Sequence, residues 1–184
     1  GQAAQDLQQW GVDALRVGIG GGSACITRVV TGCGVPNLTA IQWVREVTPL
    51  PIIIDGGIRT SGDIIKSLVF GANMVMLGYL LAPFSPAGRV VKQGTTKVKI
   101  FEGQSSRIFQ EEVRGGLKEG TAPEGVEHYL PMRYDMTAEQ FLTELEGGLR
   151  SGMVYLNCKT LVDLRTAETI KVTPASVIES HPRI

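Results

Sequence analysis

The residues best suited to chemistry in this chain stand together in Gly18–Thr31, GIGGGSACITRVVT. Cys25 offers a thiol, a soft nucleophile and a good leaving group. It follows Gly18, Gly20, Gly21, Gly22 and Ser23. Such a glycine run removes side chains and permits positive φ, so successive backbone N–H groups can converge on an anion. Ser23 adds a hydroxyl. The implied chemistry is an anion-binding loop with a thiol in reach of the ligand. The residues alone leave a second reading equally open, a glycine-rich turn whose buried cysteine acts as a small hydrophobe.

The surrounding elements must position that loop. Gln2–Trp10 reads as the end of a helix stopped by Gly11. Leu15–Val17 reads as a short strand, and 18–34 as the loop after it. Leu38, Ile41, Val44 and Val47 have helical spacing, ended by Pro49 and Pro51. Pro51–Ile54 is an apolar run of the buried parallel-strand kind, and it terminates in Asp55-Gly56-Gly57. Ser61 is the expected cap of a helix Gly62–Phe70. Asn73–Leu77 is the next strand, followed by Gly78 and Tyr79. Strand and helix alternating at this spacing mean parallel strands with crossover helices. In an α/β barrel the active site is assembled from the C-terminal strand ends. Cys25, Asp55–Gly57 and Gly78–Tyr79 would then share one rim, which weighs against the inert reading.

Beyond Leu81 the pattern changes. Val90–Ile100 reads as a β-hairpin turning at Gln93-Gly94-Thr95. Gly103–Pro131 is polar and weakly periodic, and is expected to be a loop or lid. Thr137 caps a helix Ala138–Leu149 with Gln140 in the reciprocal capping position. Ser151–Ile170 is read as a further helical segment and Val172–Ile184 as a tail. The chain has 184 residues, 43% hydrophobic and 20% charged, with zero formal net charge. Those values suit one globular domain and supply no electrostatic argument for nucleic-acid or membrane binding. Cys25, Cys33 and Cys158 make no disulfide framework. With no signal-peptide pattern, a reducing, cytoplasmic location is the expectation.

Several of these stretches carry a family resemblance. Gly18-Ile19-Gly20-Gly21-Gly22-Ser23-Ala24-Cys25-Ile26-Thr27-Arg28 resembles the catalytic loop of the inosine monophosphate dehydrogenase and guanosine monophosphate reductase family. Ile54-Asp55-Gly56-Gly57-Ile58 with Gly62-Asp63-Ile64 and Lys66 resembles its next strand and helix. Met74-Val75-Met76-Leu77-Gly78, followed by Leu80-Leu81-Ala82, resembles the strand after that. Pro123-Glu124-Gly125 resembles the end of the active-site flap. Gly147–Ser151 and Glu179-Ser180-His181-Pro182 resemble the carboxy-terminal segment. The family fold is an eight-stranded (β/α)8 TIM barrel, and such barrels take roughly 250 residues. The resemblance therefore implies that residues 1–184 are the carboxy-terminal part of one catalytic barrel domain. They would hold its last three strands, a flap at about 90–135 and the tail. The missing amino-terminal half would come as another chain or a removed segment.

The resemblance also implies residue roles. Cys25 would attack C2 of the purine, Asp55 would bind the ribose hydroxyls, and Ser23, Gly57 and Gly78 would cradle the phosphate. Tyr79 stands where many dehydrogenases have serine, and Gln104 where methionine is common. Gly103 and Gln104 match a segment whose backbone contacts the base. Carbonyls of Gly20, Gly22 and Cys25 match a potassium site. Its remaining ligands, matched by Glu179, Ser180 and His181, come from a neighbouring subunit's tail in a family that is usually tetrameric.

Both branches of the family share the nucleotide and the thiol. Dehydrogenases carry an adjacent arginine–tyrosine pair on the flap to activate water. Here Arg107 is followed by Ile108, and the flap is short as in reductases. Phe101 stands where dehydrogenases usually have tyrosine. Reductases use a threonine and a flap glutamate to deliver a proton as ammonia leaves, matched by Thr27 and Glu124. The resulting expectation is a GMP reductase that converts GMP to IMP with NADPH. The alternatives are an IMP dehydrogenase using NAD with Arg107 as base, and a nucleotide-binding homologue without turnover.

Overall fold

The structure, a computed structural model, describes residues 1–179, with only the backbone described for Ile178 and Glu179. Helix α1 (Gln2–Gln9) leads into strand β1 (Leu15–Val17). Helices α2 (Thr27–Thr31) and α3 (Asn37–Arg45) follow, then β2 (Ile52–Asp55), α4 (Ser61–Val69) and β3 (Met74–Met76). The three strands form one parallel sheet with β2 in the middle, Leu15 in register with Ile52 and Ile53 with Met74. The alternation read from sequence is thus the observed one. Ile52 and Ile54 are fully buried and cluster with Ile41, Ile58 and Ala72. A continuous apolar run suits a strand covered on both faces. Among the described residues neither β1 nor β3 has a second strand beside it, and Met74 and Met76 are exposed.

Two local expectations shift. The stretch 18–34 is not all loop, because Thr27–Thr31 closes one short helix that ends at Gly32 with φ 69°. The cap of α4 is Thr60 rather than Ser61. Thr60 Oγ1 accepts the Asp63 N–H while Asp63 accepts the Thr60 N–H, a reciprocal capping box.

A second sheet follows, antiparallel and ordered β4 (Arg89–Gln93), β5 (Thr96–Glu102), β6 (Glu127–Pro131). The hairpin turns at Gly94, φ 63°, as expected. The lid region is more structured than its sequence suggests. It contains α5 (Arg107–Arg114), capped by the fully buried Ser106, and then β6, whose residues pair with β5. Strand pairing over that separation leaves no local signature. Lys99 on β5 is buried, and its ammonium donates to the carbonyls of Ser85, at 2.9 Å, and Ala87. Those bonds tie the sheet to the segment after β3. Arg133 lies over Phe84 and Phe141, 5.6 and 5.3 Å from their ring centroids.

Helix α6 (Ala138–Tyr155) has the capping box expected of Thr137 and Gln140. It packs on α4 through Gly148 and Gly152. A Cβ on Gly152 would stand 2.1 Å from Ile65 Cδ1, so Ile65 fills the space that a side chain there would take. The helical segment expected over 151–170 stops at Tyr155 and resumes only as a 3-10 turn, Asp163–Thr166, where the Asp163 carboxylate accepts the Lys159 and Thr160 N–H groups of the preceding loop. The tail begins with a short helix α7 (Pro174–Glu179). No helix among the described residues is long and apolar enough to cross a membrane.

Candidate active site

The ends of β1 and β2 are locked together by backbone proximity. Gly18 has φ 118°, and a Cβ there would stand 2.3 Å from the Asp55 carbonyl oxygen. Only glycine lets the loop after β1 lie against the end of β2. Asn37 Nδ2 then donates to the carbonyls of Asp55 and Gly56 at 3.2 and 2.7 Å. The Arg28 guanidinium donates to the carbonyls of Ile19 (3.0–3.1 Å) and Val35 (2.7 Å). These two side chains hold the glycine loop in shape, so the loop is a built feature rather than a slack turn. Sequence reasoning gave neither a role, since their partners are backbone groups of other loops.

Cys25 sits at the end of that loop, part-buried. Its thiol donates to Thr27 Oγ1 at 3.2 Å, and the Thr27 hydroxyl donates to Glu124 Oε2 at 2.8 Å. The sequence expectation placed these three residues together, and the structure brings them into one hydrogen-bonded relay across 97 residues of chain. The backbone makes the junction. Ile26 N–H donates to Glu124 O at 2.8 Å and Val126 N–H to Ala24 O at 2.9 Å. Glu124 N–H in turn donates to Ser105 O at 3.0 Å. Gly103 and Gly125 allow it, because a Cβ on Gly103 would meet Ala24 O at 2.9 Å and one on Gly125 would meet Ser106 N at 2.8 Å.

A cleft of about 360 Å³ opens beside the thiol, within the range of small-ligand sites. It brings together Gly20, Gly22, Ser23, Cys25, Asp55, Phe101, Gly103 and Gln104, all singled out from sequence, with Arg16 in addition. Asp55 Oδ2 accepts both Nε and Nη2 of Arg16, at 2.9 and 2.5 Å. The Gln104 carbonyl accepts Gln110 Nε2 at 2.5 Å. A larger hollow of about 570 Å³ between α1, β1 and α3 is walled mainly by apolar groups such as Leu7, Leu15, Val17 and Trp43. Arg16, Thr27 and Cys33 are the polar or thiol side chains on its wall.

The remaining expected residues fall in three places. Gly57 is set behind the glycine loop, where a Cβ would stand 3.2 Å from Gly21 O. Gly78 abuts the Phe101 ring, and Tyr79 packs edge-on against Phe101 and His128 with centroids 5.6 and 6.0 Å apart. Arg107 is exposed on α5 and pairs with Glu111 at 3.7 Å, outside the residues that line the cleft. The Gly22 carbonyl accepts the Cys25 N–H at 3.1 Å and keeps a second lone pair. The carbonyls of Gly20 and Cys25 are the other two backbone oxygens that the family resemblance assigns to potassium. Ser180, His181 and the side chain of Glu179 lie outside the described residues. Two side chains missed in the sequence also meet Ser23. His128 Nε2 is 2.8 Å from its carbonyl oxygen, and Arg59 Nη2 is 3.4 Å from its hydroxyl.

Comparison with known proteins places this geometry in a family. A profile described as the IMP dehydrogenase / GMP reductase domain matches residues 1–183. Inosine-5'-monophosphate dehydrogenase of Borreliella burgdorferi is 42% identical over 98% of this chain and 48% of its own length. The Thermoplasma acidophilum enzyme of the same name is 43% identical over 98% of this chain and 39% of its length. A crystal structure of a GMP reductase variant from Trypanosoma brucei, in complex with guanosine 5'-monophosphate, superposes with a TM-score of 0.87 at 37% identity. The match covers 98% of this chain and 38% of that one. The chain thus spans less than half the length of these relatives.

Proposed function

The chain belongs to the IMP dehydrogenase / GMP reductase family, and from that premise we propose that it carries the thiol and flap of a GMP reductase. Its parallel sheet is then an arc of a TIM barrel, as in the matching structure. The unpaired edges of β1 and β3 support completion of the barrel by strands outside these 184 residues.

The observation that carries the reading is the relay from Cys25 through Thr27 to Glu124. As Cys25 attacks C2 of GMP, a C–S bond forms and the thiol proton passes through the Thr27 hydroxyl to the Glu124 carboxylate. Return of a proton by the same path lets the 2-amino group depart as ammonia. Reduced nicotinamide, when bound, supplies the hydride that C2 gains. The C–S bond then breaks with its electron pair returning to sulfur, IMP leaves, and the thiolate regains a proton that Glu124 takes up from solvent and passes through Thr27. Asp55 accepts hydrogen bonds from the ribose diol in place of Arg16, and Ser23 and the glycine loop receive the phosphate. Potassium, held by the carbonyls of Gly20, Gly22 and Cys25, would brace the loop that carries the thiol. The family's usual tetramer would bring a neighbour's tail to that ion.

The names of the relatives favour a second reading, IMP dehydrogenase, in which the same thiol holds IMP and water must be activated. Arg107 would be the base, yet its guanidinium faces Glu111 rather than the thiol. The test is nicotinamide absorbance with the intact protein in potassium buffer. Consumption of NADPH with GMP, abolished in Cys25→Ala, is the expected result. Formation of NADH from IMP and NAD would instead make it a dehydrogenase. Nucleotide binding without either turnover would make it a non-catalytic homologue.

A further inference from the structure

Around Ser23, at the edge of the cleft, three side chains from separate elements converge, and one of them brings a charge with no counter-charge. Arg59, in the loop between β2 and α4, places its guanidinium 5.8 Å from the Tyr79 ring centroid and within 3.4 Å of Ser23 Oγ. Arg16, Arg89, Arg107, Arg133 and Arg150 each pair with a carboxylate. Arg59 has none within ion-pair distance among the described residues. Asp63, four residues on, is committed elsewhere. It accepts the backbone N–H groups of Arg59 and Thr60 and pairs with Lys66 at 3.2 Å. On that loop, the guanidinium is left as an uncompensated cation.

Its surroundings are fixed. A carbonyl oxygen only accepts, so His128 donates Nε2–H to Ser23 O, which sets the imidazole tautomer and pins Ser23 from the β6 side. The Tyr79 ring lies near the guanidinium and packs edge-on with both His128 and Phe101. Ser23 Oγ accepts from Arg59 and keeps its own proton to donate. A planar cation with free N–H donors beside a hydroxyl donor and a glycine loop is suited to a tetrahedral oxyanion. Guanidinium matches phosphate with two parallel N–H···O bonds.

We propose that Arg59, held against Tyr79 and next to Ser23, is the side-chain cation that binds the phosphate of the nucleotide in this protein. The proposal rests on the nucleotide reading above and adds to it the residue that distinguishes a nucleotide from its nucleoside. Arg59 touches the phosphate and not the purine, so it acts on affinity and leaves the chemical step alone.

The test measures binding of GMP, guanosine and inorganic phosphate by the intact protein, with phosphate followed through broadening of its phosphorus resonance. Arg59→Gln is expected to weaken GMP about tenfold or more, the effect of losing a charged hydrogen bond. It should raise KM with little change in kcat, abolish the phosphate response and leave guanosine binding unchanged. Arg59→Lys should recover part of the affinity, since charge persists without the bidentate fork. Equal weakening of GMP and guanosine, or unchanged GMP and phosphate binding in Arg59→Gln, would overturn the proposal. Phosphate bound by the wild type without GMP would instead sink the nucleotide reading and leave the anion site standing. Binding of neither by the wild type would sink both.

Discussion

The parallel sheet and the flap deliver residues to Cys25 by different physics. On the rim, positions are set by short buried strands whose ends are locked by close backbone contact, with Gly18 against Asp55 and Asn37 bridging two loops. The core beneath is Ile41, Ile52, Ile54 and Ile58. The flap has a smaller core, Val98 and Ile100 on β5 with Leu130 on β6. It is held to the rest by specific polar bonds, from Lys99 to the carbonyls after β3 and from 124–126, themselves bonded to 103–105, to the catalytic loop. The nucleophile thus rests on the rigid region, while its proton acceptor rests on the region that polar bonds assemble. Strand ends suit a group that must not move. A flap suits one that must arrive with the substrate.

Four variants of the intact protein would break or sharpen that contrast. Glu124→Gln removes the proton acceptor while keeping its shape. Turnover should fall by about 10²–10⁴, the range for a positioned acid–base group, with nucleotide affinity nearly unchanged and the pH profile of kcat flattened. A full-rate variant would show that the relay carries no proton. Gly125→Ala keeps every polar side chain but forces a Cβ onto Ser106 N. A displacement of that kind costs about a hundredfold in rate, and thermal unfolding of the parallel sheet should be unaffected. If the melting temperature falls as far as the activity, the flap and the rim are one cooperative unit.

Lys99→Met removes the charged donor from the carbonyls of Ser85 and Ala87, a loss of about 1.5–3 kcal/mol. Hydrogen exchange should rise in β4–β6 and not in β1–β3. Asp63→Asn probes the rim with the smallest expected effect. Burial alone would raise the Asp63 carboxyl, but hydrogen bonds from the Arg59 N–H, Thr60 and Lys66 outweigh it and hold it below its ordinary value. A carboxyl lowered by folding stabilises the protein above its unfolded value, about pH 4. That contribution disappears as pH falls through the folded value. Asp63→Asn should therefore lower stability at neutral pH and flatten its decline on the acid side, as read by acid unfolding monitored through near-ultraviolet circular dichroism.

The sequence by itself determined the parallel sheet, its helices and the reactive loop. Apolar runs such as Ile52–Ile54 and spacings such as Leu38, Ile41 and Val44 are local records of burial, and a glycine cluster ending in Cys25 is legible without any contact. Motif resemblance extended that to Thr27, Asp55 and Glu124. Tertiary structure decided what depends on meetings between distant segments. Strand β6 exists only because β5 pairs with it, so 103–131 looked unstructured in one dimension. Arg28 and Asn37 bind carbonyls, which every residue has, so no residue type could announce their partners. The side-chain ring around Ser23 joins positions 59, 79 and 128, and only folding sets their separation. Local composition encodes which residues are buried and which can react. Proton paths and charge placement arise when the flap closes over the rim, because hydrogen bonding requires distances that sequence spacing does not carry.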